Sequence, residues 1–131
     1  MRGVTIRDRG VDNTLSLDLI DILNILGPRA DNTFWLVEGA ESTGPLSGVL
    51  HRLSDLGTKV TTARLREIAS DVIQVIDGVF TGYSVEKSEP WIIIRAVDSS
   101  AYDVETDDND ILSKVQGSFN EVYPIPNCAE K

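Results

Sequence analysis

Apolar positions follow two rhythms along this chain, one with the spacing of a helix and one with the alternation of a strand, and they take turns from residue 16 onward. The stretch SLDLIDILNILGP sets Asp18, Asp21 and Asn24 against Leu19, Ile20, Ile22, Leu23 and Leu26, which predicts a helix with a narrow wet stripe and a broad buried face. Ser16 is the expected N-cap, and Gly27-Pro28 the stop. Leu46, Val49, Leu50 and Leu53 repeat the helical spacing between Pro45 and Gly57, and Leu65, Ile68, Ala69 and Val72 repeat it again after Thr61-Thr62. A last helix carries Ile111, Leu112, Val115 and Phe119 on one face, opened by the acidic run Thr106 to Asp110, whose carboxylates suit a first turn.

The strand rhythm starts with a short segment, Val4 to Ile6, and becomes clear in Thr33 to Glu38, which is aromatic and β-branched. A loop is expected from there to Pro45. Val72–Ile76 and Val79–Tyr83 flank Asp77-Gly78, a pair suited to a two-residue hairpin turn. Trp91 to Val97 is almost continuously apolar, as in a central strand covered on both faces, and Asp98-Ser99-Ser100 turns it back into Ala101–Glu105, a half-exposed strand expected nearer an edge. Pro124 and Pro126 exclude a regular helix in the tail, 124–131, for which two alternatives stand: packing through Val122, Tyr123 and Ile125, or fraying. The resulting expectation is a single α+β domain over residues 1–131. It has two layers, with a mostly antiparallel or mixed sheet of about four to five strands and about four helices packed on it.

Composition narrows the partners. With 41% hydrophobic and 25% charged residues the chain has the apolar mass for a core, so disorder is excluded. Twelve Lys+Arg against 21 Asp+Glu leave a net charge of -9, the wrong sign for nucleic acid as the main partner or for an anionic membrane. The charge is also uneven: residues 98–131 hold eight acids and only two bases, Lys114 and Lys131. Cys128 is the one cysteine, so no intrachain disulfide can form. The opening MRGVTIRDRG has no apolar run of leader length, and no window reaches the roughly 20 apolar residues of a spanning helix, so a cytoplasmic protein is expected.

Several constellations invite a chemical reading and then fail it. Gly39 to Gly44 has the glycine spacing of a phosphate loop, but Pro45-Leu46 stand where lysine and a hydroxyl are needed, so Thr43 or Gly44 is better read as a helix cap. Ser47, His51 and Asp55 share one exposed helix face, whereas a nucleophile triad converges from separate elements on a pocket. Counted as a calcium loop from Asp103, the acidic run puts Asp108 where glycine belongs and Lys114 where the bidentate acid belongs. Arg52, Lys59, Arg64 and Arg66 lack the aromatic interleaving of a nucleic-acid surface. Trp35 and Trp91 read as core residues. Arg95, a charge inside an apolar strand, calls for a carboxylate partner, with Asp103 or Glu105 the candidates.

Two functional readings follow. In the first, the chain is a non-enzymatic, acidic interaction module, of the kind an inhibitor or immunity protein presents to a basic target. Asp103, Glu105, Asp107, Asp108 and Asp110 then form the partner-binding surface. In the second, Arg95 and Trp91 line a pocket for a small molecule or metal ion, with or without catalysis. The residue patterns imply no catalytic set, no cofactor and no defined metal ligands, and they leave the oligomeric state open.

Overall fold

A computed structural model describes residues 1–85 and 87–125. Its elements run β1 (Arg2–Ile6), α1 (Leu19–Asn24), a 3-10 helix (Pro28–Asn32), β2 (Thr33–Thr43), α2 (Ser47–Leu56), β3 (Val60–Thr61), α3 (Thr62–Ser70), β4 (Gln74–Ser84), β5 (Pro90–Val97), β6 (Ala101–Thr106), α4 (Asn109–Ser118) and β7 (Val122–Pro124). Among the described residues the fold is α+β, with four α-helices and one seven-stranded antiparallel sheet in the order β3-β2-β4-β5-β6-β1-β7.

Register explains the two-sided character of that sheet. Val4, Val104, Ile94, Phe80 and Val37 are cross-strand neighbours in one row, and all five are buried. They form one cluster with Leu19, Ile22 and Leu23 of α1, Leu50 of α2, Leu65 and Ile68 of α3, and Ile111, Leu112 and Val115 of α4. One face of the sheet therefore carries the helices. The alternate residues of the central strands, such as Leu36, Val79, Ile93 and Arg95, belong to the other face and stay partly exposed. β5, whose apolar run predicts cover on both faces, is therefore covered on one.

Four further expectations change. The sheet has seven strands where about four to five were expected, because β3 and β7 are two- and three-residue strands too short to carry a periodic signal, and they take the two sheet edges. The strand 101–105 lies inside the sheet, since β1 pairs along its outer side. Asp77-Gly78 makes no hairpin: β4 runs through it as one eleven-residue strand. The irregularity sits in the partner strand, where the register shifts between Glu38 and Ser42 and Gly39 takes φ +59°. Residues 39–43, expected as a loop, are consequently the second half of β2, and neither Thr43 nor Gly44 caps α2, whose N-cap is Leu46. Gly44 serves a different need. Its φ is +113°, and a Cβ there would lie 2.4 Å from the Ile73 backbone nitrogen.

The helix expected to follow an N-cap at Ser16 begins two residues later, under Asp18, whose side chain accepts from the Leu19 amide while its own amide donates to the Asp21 carboxylate. Pro124 closes β7 at a sheet edge, where a missing N–H costs no ladder bond. Most of the tail 124–131, with Pro126 and Cys128, lies outside the described residues.

The positive-φ turn is found at Asp98 (φ 49°) and Ser99 (φ 58°), closed by the Ser100 amide on the Val97 carbonyl at 2.9 Å. Two consecutive positive φ values are those of a type I′ turn, which glycine occupies most easily in its second place. Ser99→Gly is therefore expected to raise stability by about 0.5–1 kcal/mol, read as a higher urea midpoint at unchanged slope. A lower midpoint would show that the serine side chain contributes more than the backbone strain it causes.

Candidate functional site

The acidic residues singled out from the sequence divide between two places. Asp103 and Glu105 alternate with buried Tyr102, Val104 and Thr106 on β6, so both lie on the face opposite the helices. There Glu105 forms an ion pair with Arg95 of β5, and Thr5 of β1 donates to Asp103 at 2.7 Å. Arg95 thus has the partner its sequence context demanded. Around these charges the same face exposes apolar area: Phe34 and Val97 are 36% and 39% exposed, and Leu36, Val79 and Ile93 are half-buried. Glu38, exposed in the same cross-strand row as Val79, Arg95 and Asp103, adds a carboxylate at the β2 side. Lys59 lies at that side too, its ammonium 3.9 Å from the Tyr83 ring centre.

Asp107 and Asp108 stand where β6 ends and α4 begins, and both hold Nη1 of Arg29, at 3.2 and 3.1 Å. Asp108 also caps α4, accepting from the amides of Asp110 and Ile111. Partial burial works against its charge, but the Arg29 guanidinium and those two amides outweigh it and hold the Asp108 carboxyl below its usual value. Asp110 is exposed in the first turn of α4. Of the five acids, Asp103, Glu105, Asp107 and Asp108 each contact a side chain of another element, and Asp107 and Asp110 are the exposed ones.

Trp91 and Arg95 do not meet. The β4–β5 register jumps from Gly82↔Ile92 to Tyr83↔Pro90, which makes Trp91 the extra residue of a bulge and lets it and Ile92 both be buried. The indole of Trp91 donates to Thr33 Oγ1 at 3.0 Å on the helix side, while Arg95 lies on the open face. The arginine on Trp91 is Arg29, with its guanidinium carbon 4.0 Å from the ring centre. Thr33 in turn donates to the Arg29 carbonyl at 2.8 Å, so the 3-10 helix, β2 and β5 are joined through one hydroxyl. Trp35 repeats the arrangement through Thr62, whose hydroxyl bonds the Ala30 carbonyl. Both tryptophans are core residues, as expected.

No family model matches this chain, and no curated protein or solved structure matches it. Its chemistry must be read from these contacts alone.

His51 and Asp55 are exposed and Ser47 is half-buried, with His51 Nδ1 3.2 Å from the Ala40 carbonyl and Nε2 3.6 Å from Asp55. Neither contact is with Ser47, so the base-to-nucleophile bond of a triad is not among them. Among the described residues no three His, Cys, Asp or Glu side chains gather as metal donors, and no helix is long and apolar enough to cross a membrane. The residues that sequence reasoning missed are Arg29, Thr33 and Thr62. Their partners are 27 to 79 positions away for every side-chain contact beyond the 3-10 helix's own neighbourhood, so no local pattern announces them.

Proposed function

We propose that this protein is an acidic, non-enzymatic interaction module that docks a basic protein partner, in the manner of an inhibitor or immunity protein, in a reducing cytoplasmic setting suited to a single cysteine. One observation carries the reading. The sheet face left free by the helices combines half-buried apolar side chains with Glu38, Asp103 and Glu105, in a chain of net charge -9. Apolar side chains interspersed with carboxylates suit a protein interface, and the carboxylate excess selects a positive partner. Asp107 and Asp110, exposed beyond the end of β6, extend the field, while Asp108 acts mainly through its hold on Arg29.

The internal ties of Asp107 and Asp108 decide how the proposal is tested, because reversing them would break the Arg29 pair and the α4 cap as well as the field. Glu38→Lys with Asp110→Lys changes charge at exposed positions instead. A basic protein captured from the native extract at about 50 mM salt and released at about 300 mM should associate with that double variant roughly tenfold more slowly than with the wild type, and with a flatter salt dependence. Equal on-rates, or no basic protein on the beads at low salt, would remove this surface from the account.

A further inference from the structure

We propose a second, separate site: the cavity between the 3-10 helix and the β4–β5 connection binds a small organic anion through its carboxylate. This cavity, of about 420 Å³, is lined by Arg29, Asn32, Ser84, Val85 and Lys87, and its size falls in the range of small-molecule sites. Its polar side chains have donor capacity to spare. Arg29 spends Nη1 on Asp107 and Asp108, and its Nε and Nη2 donate to no protein group among the described residues. The Lys87 ammonium, the Asn32 amide and the Ser84 hydroxyl have no side-chain hydrogen bond there either, although the backbones of Asn32, Ser84, Val85 and Lys87 are joined to one another.

The guanidinium is also fixed in place. Trp91 lies under its plane and two carboxylates hold one of its ends, so little freedom remains to be lost when a ligand binds. The unused edge, Nε with Nη2, presents two parallel N–H groups, a fork that matches the two oxygens of a carboxylate. Charge narrows the ligand further. Among the described residues the lining supplies two cations, Arg29 and Lys87, and Asp107 and Asp108 already hold one end of Arg29, a balance that suits a monoanion better than a phosphate dianion. Val85, 60% exposed at the wall, offers apolar surface to the carbon body of the ligand.

The test is a titration of the ¹⁵N-labelled protein with sodium acetate, followed by NMR, with sodium chloride at matched ionic strength as the control. Saturable shifts are expected at the Ser84, Val85 and Lys87 amides and at the Trp91 indole N–H, with a Kd on the order of 1–10 mM, typical of so small a ligand. Lys87→Ala, at an exposed position, should weaken acetate about threefold or more, and Arg29→Lys, which keeps the charge but loses the fork, about tenfold. Shifts that do not saturate, or an unchanged Kd in Lys87→Ala, would overturn the site. Inorganic phosphate binding as tightly as acetate would overturn its assignment to carboxylates.

Discussion

Replacing Asp18 by alanine is expected to cost about 3 kcal/mol of folding stability, far more than an ordinary cap. The side chain does three jobs at once. It caps α1 by accepting from the Leu19 amide at 2.9 Å, takes the Val75 amide at 3.2 Å where β4 begins, and accepts the hydroxyl of Tyr102 on β6. Tyr102 and Val75 are buried, at 0% and 2% exposure, so their donors have no water to turn to once the carboxylate is gone. A lost cap accounts for about 1 kcal/mol, and a stranded buried donor for about 1–3 kcal/mol. Urea unfolding of Asp18→Ala measures the sum, and a loss under about 1 kcal/mol would mean that solvent reaches these groups.

The same residue sets a pH dependence whose sign is opposite to that of most carboxylates. Burial raises the Asp18 carboxyl above its ordinary value of 3.8, and the hydrogen bonds from Tyr102, Leu19 and Val75 only partly offset this. The folded state therefore holds the proton more tightly than the unfolded chain. The stabilisation is fully present below the unfolded value and is lost as pH rises through the folded one. Against Asp18→Asn, which cannot titrate, the wild type should gain stability as the pH is lowered through that window.

Asp18 also shows where sequence reading reaches its limit. The helix was legible from its apolar spacing, and so was a cap near residue 16, yet the choice of Asp18 over Ser16 depends on Val75 and Tyr102, 57 and 84 positions away. Local propensity misled at Asp77-Gly78 for a similar reason. An eleven-residue β2 pairs with β4 on both sides of the dipeptide, and Asp77 is occupied by the Asp98 amide at 2.8 Å, so the ladder outweighs the turn signal. By contrast, a carboxylate partner for Arg95 on the next strand could be foreseen, since strand alternation and a three-residue turn put Asp103 and Glu105 on its face, but the choice of Glu105 over Asp103, which lies directly opposite, could not. The acidic cluster was visible only as charge. Its division between an open sheet face and a clamp on Arg29 required the position of the 3-10 helix, whose Gly27-Pro28 start reads in sequence as a mere stop.

Trp91→Ala should be the most damaging change at the candidate site, costing about 3–5 kcal/mol, the range for truncating a buried aromatic residue. The indole is 2% exposed, so its removal leaves a cavity beside Thr33 and Ile92 and takes away the donor that Thr33 Oγ1 accepts from, while the hydroxyl keeps its bond to the Arg29 carbonyl. It also takes away the surface on which Arg29 rests. Trp91→Phe separates these effects, because it keeps a flat ring under the guanidinium and loses only size and the N–H donor. A loss of about 1–2 kcal/mol is expected for it. If the ring positions Arg29, then Arg29→Ala should cost about 0.5–1 kcal/mol less in the Trp91→Ala background than in the wild type, and retain its full cost in the Trp91→Phe background. Equal costs in all three backgrounds would show that Asp107 and Asp108 hold Arg29 without help from the ring. The bulge that buries Trp91 would then be explained by packing alone.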